Sequence, residues 1–232
     1  VLLTDIDGTL TEHGRLPPHS YSALCQLAER GIYVIPVTGR PAGWCELIAR
    51  LWPVHGVVGE NGAFYYRYAG KMKRVFAREE SKQKEDRAKL EEIRKEVLAT
   101  IKGAAIASDQ FCRMFDLAVD FSEDVPPLAP SQIQQIVKIF KKHGAQAKVS
   151  NIHVNGWFGD YDKVSMCKKY LLNEFGYSEG QMRSECAFVG DSPNDEPMFE
   201  FFPHSFAVAN IQTFLDDLKF KPSYITTQDE GK

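Results

Sequence analysis

The chain has 232 residues, 44% of them hydrophobic, which is enough for one large domain or for a core domain with a smaller companion. Its net charge of −3 speaks against an electrostatic nucleic-acid surface or a basic membrane patch, so a small ligand is expected and neither nucleic acid nor membrane is. Five dispersed cysteines (Cys25, Cys45, Cys112, Cys167, Cys186), with no CxxC pair and no histidine at metal-ligand spacing, speak against a zinc site or a disulfide framework.

No run approaches the roughly 20 apolar residues of a membrane helix. Val1 opens directly into a strand without the basic start of a signal peptide, and a cytoplasmic protein is expected. The first strand, over 2–4, ends in Asp5, Ile6, Asp7, Gly8 and Thr9. In extended chain, residues i and i+2 share a side, and Gly8 offers the turn that can fold the chain over both carboxylates. Carboxylates brought together repel unless a cation or a shared proton intervenes.

A helix over about 20–30, a stop at Gly31 and the apolar run IYVIPV complete a strand–helix–strand unit, and Thr38, Gly39 and Arg40 follow directly. A helix over about 43–51 leads to a strand at 56–58, so strands alternate with helices as in parallel α/β sheets. Asn61-Gly62 then marks a turn between β-prone residues.

From about Ser81 the composition changes to a charged amphipathic helix with Leu90, Ile93, Val97 and Ile101 on its apolar face. Two strand-like segments, AAIAS and FCRMFDLAVDF, precede a proline-rich joint, a helix over 131–143 and one strand-like run over 146–155. This block breaks the earlier alternation and reads as an α+β insertion over 80–157. The α/β pattern then resumes with a helix at 163–174, the strand CAFVG, a helix from about Asn194, the strand FAVA, a terminal helix and a last strand SYIT. The expected fold is α/β: a Rossmann-like, doubly wound parallel-sheet core (1–79 and 158–232) with a smaller inserted α+β cap domain (80–157).

In open parallel sheets, ligands bind beyond the carboxyl ends of the strands. Four places there carry complementary polar residues: Asp5 and Asp7; Thr38, Gly39 and Arg40; Lys163; and GDSPND, which holds Asp191, Asn194 and Asp195. Each alone reads equally well as a turn, a helix cap or a surface lysine. Together on one edge they suit phosphoryl transfer. Mg²⁺, a hard cation, would take Asp5, Asp191 and Asp7, the last through a backbone carbonyl. Asp5 would attack phosphorus, Thr38 and Lys163 would bind the phosphate oxygens, and Asp7 would move the proton.

The chain resembles phosphatases of the haloacid dehalogenase superfamily: DIDGT is similar to their nucleophile motif, VTGR to the second, DKVSM to the lysine motif and GDSPND to the acidic one. The placement of the insertion, together with GENGA, resembles the branch of Cof-like and sucrose-, trehalose- and mannosyl-3-phosphoglycerate-phosphate phosphatases. That resemblance implies a HAD-like core. It also implies Asp5 as nucleophile, Asp7 as acid/base, Thr38 and Lys163 as phosphate ligands, Asp191 as metal ligand, and Asn194 and Asp195 in support.

Arg40 and Asn61, on core loops, are expected as ligands for the substrate's leaving group. In the insertion, Arg113 and Asp116 flank a strand and His153, Asn155 and Trp157 run along the strand that returns to the core, and Arg113, His153 and Asn155 are expected to face the substrate. The expected function is Mg²⁺-dependent hydrolysis of a small phosphomonoester, a sugar phosphate, through a phospho-aspartyl intermediate. A phosphohexomutase is the alternative, and a non-enzymatic phosphoacceptor switch or inactive binding relative is a third reading. The oligomeric state stays open.

Overall fold

The computed structural model describes residues 1–150 and 152–232. Two compact units form: Val1–Arg40, Trp44–Ala77 and Tyr161–Lys232 make the first, and Pro41–Gly43 with Arg78–Asp160 the second. The first starts with β1 (Leu2–Thr4), α1 (Pro18–Glu29), β2 (Val34–Pro36), α2 (Ala42–Leu51) from Trp44 onward, and β3 (Val57–Gly59). Proline at the start of α1 supplies a backbone angle already suited to a helix and lacks an N–H that would have no partner there. A 3-10 turn, Glu60–Gly62, carries β3 into antiparallel β4 (Phe64–Ala69), which pairs in turn with β5 (Lys71–Phe76). Nothing in the sequence reading anticipated β5.

In the second unit, α3 (Glu80–Thr100), β6 (Ala105–Ile106), β7 (Asp116–Asp120), α4 (Pro130–Lys142), β8 (Gln146–Val149) and β9 (His153–Trp157) build an antiparallel sheet ordered β6-β7-β9-β8 with two helices packed on it. Leu90, Ile93 and Val97 of α3, with Ile101 just beyond it, are buried with Leu117, Val119, Ile136, Phe140 and Val154, as the apolar spacing on α3 predicts. The run 146–155, expected as one strand, contributes to two: β8 and β9 pair antiparallel with Val149 opposite Val154. Ser150 Oγ accepts the His153 N–H at 2.9 Å and so competes with a continuous strand. Asn151, within that run, lies outside the described residues.

The chain then returns to the first unit with α5 (Lys163–Phe175), α6 (Glu179–Glu185), β10 (Ala187–Gly190), α7 (Glu196–Phe201), β11 (His204–Ala207) and β12 (Tyr224–Ile225). Where a terminal helix was expected between FAVA and SYIT, a 3-10 turn stands at Ala209–Phe214. Its first residues bond to distant parts of the chain, Ala209 N–H to Gln228 O at 2.9 Å and the Asn210 side chain to Gly8 O at 3.2 Å.

The central sheet runs β12-β11-β10-β1-β2, parallel throughout, and a parallel bridge from Val37 to Val58 extends it toward β3. The expected doubly wound α/β architecture is present. Its order reverses between β1 and β10: the early strands lead one way from β1 and the late strands the other. Leu3, Ile35, Val58, Phe188 and Ala207 of the sheet form one buried cluster with Met166, Tyr170, Met198 and Phe202. No described helix is long and apolar enough to cross a membrane.

At the entry to β3, His55 sits among Tyr33, Phe175 and Tyr170, with Nδ1 2.8 Å from the Tyr170 hydroxyl. Burial, with Arg67 nearby, pushes its pKa down from 6.5 to about 4. The unfolded chain therefore takes up this proton at a higher pH than the folded one, and stability falls as pH drops from about 6.5 to about 4. His55→Asn keeps a partner for the Tyr170 hydroxyl and cannot titrate. Thermal melts across that window are expected to decline less steeply in the variant, and parallel curves would contradict this role.

Candidate active site

β1 and β10 are hydrogen-bonded neighbours at the reversal point, so the residues leaving their carboxyl ends, Asp5 and Asp191, emerge side by side. Lys163, the first residue of α5, completes the cluster. Its Nζ donates at 2.8 Å to Asp5 Oδ1 and at 2.8 Å to Asp195 Oδ1, while Asp195 Oδ2 accepts the Asp191 N–H at 3.1 Å. Asp5, Asp191, Asp195 and Lys163 are all buried. Asp191 itself is held by neutral donors, Thr9 Oγ1 at 3.5 Å and Asn210 Nδ2 at 3.1 Å.

Carboxylate oxygens of Asp5, Asp191 and Asp195 lie within 4.8 Å of one another. Three carboxylates against one ammonium leave two negative charges in a buried place. Burial pushes Asp5 up to about 7 against the pull of Lys163, with Asp195 and Asp7 adding to the rise. Burial, then the Asp5 and Asp195 carboxylates, push Asp191 up to about 8. Although burial opposes the charge on Lys163, Asp195 and Asp5 raise its pKa and keep it an ammonium. A hard divalent cation fits such an all-oxygen set in both charge and donor type.

Gly8 has a left-handed backbone (φ 80°), and a Cβ there would run into Asp191 Oδ2; the first motif closes onto the acidic loop because this residue has no side chain. Gly62 does the same for α5. At φ 103° its bare Cα abuts the carbonyl of Asp162. Asp162 caps α5 by accepting the Ser165 N–H at 2.7 Å, so the Asn61-Gly62 turn seats the helix end that presents Lys163.

Thr38 is fully buried after β2, and its Oγ1 accepts the Arg40 N–H at 3.0 Å, a bond that does not use the hydroxyl hydrogen. Gly39 packs on the Asn61 amide, where a Cβ would meet Asn61 Oδ1 at 3.1 Å. Arg40, expected at the leaving group, is engaged by Asp7: Nε reaches the two carboxylate oxygens at 3.0 and 2.9 Å, and a terminal nitrogen reaches Oδ1 at 2.7 Å. The guanidinium also lies 4.5 Å above the Trp44 ring. The Asp7 carboxylate thus faces Arg40, while Asp5, Asp191 and Asp195 make up the acidic cluster. Asn194 is half-buried in the 3-10 turn Pro193–Asp195.

In the second unit, Arg113 joins Asp109 (2.9 Å) and Asp116 (3.1 Å), and Asn155 Nδ2 donates to Asp116 Oδ2 at 2.9 Å. His153 Nε2 lies 2.8 Å from Glu123 Oε2. Trp157 is buried at the end of β9, 6% exposed. Asp116, His153 and Asn155 therefore belong to one buried polar sheet face, which alternates with the apolar face under the helices. Two partners escaped the sequence reading. Asp7 as the partner of Arg40 leaves no local signal, whereas Asn210 follows the strand FAVA and so stands past a carboxyl end of the same parallel sheet as Asp5 and Asp191.

With this geometry in view, comparison with known proteins shows what the chain is similar to. Residues 2–109 match the family model of haloacid dehalogenase-like hydrolases. Solved structures share the fold over nearly the whole chain. A Thermoplasma acidophilum protein is 21% identical, with TM-score 0.73, covering 99% of this chain and 92% of that one. A haloacid dehalogenase-like hydrolase from Bacteroides thetaiotaomicron is 15% identical, with TM-score 0.70, covering 97% and 92%. The sucrose-phosphatase from Synechocystis, in complex with sucrose and phosphate, is 17% identical, with TM-score 0.66, covering 99% and 92%. No curated protein matches the sequence. The fold is that of the haloacid dehalogenase-like hydrolases, and the first four-ninths or so of the chain carries that family's sequence pattern.

The burial of the cluster and its excess charge together have a measurable consequence. Without a cation, folded Asp5 and Asp191 keep protons to about 7 and about 8, whereas an ordinary aspartate loses its proton near 3.8. Between those limits the folded chain binds more protons than the unfolded one, so stability falls as pH rises. Asp191→Asn removes one of these charges. At about pH 8.5 in EDTA the variant is expected to melt a few degrees above the wild type, at roughly 2–4 °C per kcal/mol for a chain of this size. A melting temperature at or below that of the wild type would contradict this charge balance.

Proposed function

We propose that this chain is a Mg²⁺-dependent phosphomonoester hydrolase acting on a small phosphorylated metabolite of the sugar-phosphate class. The observation that carries the proposal is the buried bridge from Lys163 to both Asp5 and Asp195 at the carboxyl ends of adjacent parallel strands. It leaves Asp5 with Oδ1 fixed, and among the described residues no hydrogen bond reaches its Oδ2. That oxygen is the attacking atom. The fold shared with a sucrose-phosphatase supports the sugar-phosphate class.

Mg²⁺, held by Asp5, Asp191 and the backbone carbonyl of Asp7, would supply the positive charge that lets an anionic phosphate approach an anionic carboxylate. Lys163 adds a fixed ammonium beside the nucleophile, and the Thr38 hydroxyl donates to a phosphate oxygen. Asp5 Oδ2 forms a bond to phosphorus as the ester P–O bond breaks, and the leaving oxygen takes a proton from Asp7. Water then attacks the phospho-aspartate, giving its proton to Asp7, and the new P–O bond to Asp5 breaks to release phosphate and restore the carboxylate. Because Arg40 holds both oxygens of Asp7, either proton transfer requires it to yield one of them. Arg40 accordingly orients Asp7 rather than binding the leaving group.

With a panel of phosphorylated sugars and Mg²⁺, free phosphate is the expected product, and Asp5→Asn is expected to lower kcat by at least about 10³-fold. Full activity in that variant would remove Asp5 as nucleophile. Isomerised hexose phosphate in place of free phosphate would replace hydrolysis by a mutase reaction.

A further inference from the structure

Asn210 lies just past the end of β11, the strand beyond β10 in the sheet. Its Nδ2 donates to Asp191 Oδ2 at 3.1 Å and to the Gly8 carbonyl at 3.2 Å, so the two hydrogens of one amide tie the acidic loop to the loop that carries Asp5 and Asp7. Gly8, Asp191 and Asn210 meet at one point. A Cβ at Gly8 would lie 3.6 Å from Asn210 Nδ2 as well as striking the Asp191 carboxylate.

The orientation of this amide is fixed by chemistry. A carboxylate and a carbonyl are both acceptors, so only the NH₂ end can face them. The other end, Oδ1, is buried and has no hydrogen-bond partner among the described residues. A buried acceptor in that condition calls for a donor from outside the chain. Magnesium retains several of its waters when bound by one or two carboxylates, and those waters are donors.

We propose that Asn210 is a positioning residue of the cation site: its NH₂ sets the Asp191 carboxylate and locks Gly8 against it, and its Oδ1 accepts a hydrogen from the cation's hydration shell. The inference rests on the reading of the acidic cluster as a Mg²⁺ site. It assigns Asn210 a role that acts through Asp191 and the hydrated ion and leaves the phosphate untouched.

The test is Mg²⁺ binding by calorimetry to the full chain after EDTA treatment and dialysis, comparing wild type with Asn210→Ala and Asn210→Ser. A serine is too short to bridge Asp191 and Gly8 together. Both variants are expected to bind Mg²⁺ about 10- to 100-fold more weakly, the usual effect of losing a group that orients a metal ligand. If the wild type itself takes up no Mg²⁺, the cation reading fails. If the wild type binds and Asn210→Ala binds within about threefold of it, that reading stands and the role of Asn210 is overturned.

A measurement on the unmodified protein covers the case in which neither variant folds. On Mg²⁺ titration, the side-chain NH₂ resonances of Asn210 are expected to shift, while those of Asn173, bonded to the Tyr65 hydroxyl at 3.2 Å, stay in place. Asn210 resonances that do not move at Mg²⁺ saturation would overturn the proposal.

Discussion

Three carboxylates buried around a single ammonium set the terms for the rest of this structure. Taking such charges out of water costs more than their mutual attraction returns unless each remaining oxygen finds a donor or a counter-charge. Lys163 serves two of them, the Asp191 backbone serves the second oxygen of Asp195, and neutral groups on Thr9 and Asn210 serve Asp191. The arrangement is orderly but under-neutralised by two charges, and burial, with the neighbouring carboxylates adding to it, displaces Asp5 and Asp191 upward. A site of this kind gains from a divalent cation and from little else that a chain can supply.

The topology brings this cluster together. Asp5 and Asp191 are far apart in sequence and become neighbours because β1 and β10 are paired across the point where the strand order reverses. Lys163 reaches them because α5 begins against the bare backbone of Gly62. The long block between β5 and α5 folds as a sheet with its own core, around Ile93, Ile136 and Phe140, so the first unit tolerates the interruption without losing its own packing.

Much of this was legible because the chemistry-bearing residues sit where a local pattern changes from apolar strand to polar loop, as in LLTDID and CAFVGDS. Asp5, Asp191 and Asp195 could be read that way, and so could the positions of Lys163 and Thr38 beside them. Pairings between distant side chains could not. Arg40 stands beside a strand end and looked like a ligand, yet nothing local reveals that Asp7 occupies its guanidinium. Asn210 is one polar residue after a four-residue strand and acquires meaning only when Gly8 and Asp191 arrive from elsewhere. The split of 146–155 into contributions to two strands goes with a turn closed by the Ser150 backbone and hydroxyl on His153, and periodicity carries no sign of such bonds.

In the proposed reaction the carboxylate of Asp5 receives the phosphoryl group. Rapid-quench incubation with a radiolabelled sugar phosphate and Mg²⁺, followed by borohydride reduction and peptide mass spectrometry, tests it directly. Transient label is expected on the peptide containing Asp5, with reduction of that residue to homoserine and loss of both signals in Asp5→Asn. Steady phosphate release with Asp5 unlabelled and unreduced throughout the time course would contradict it.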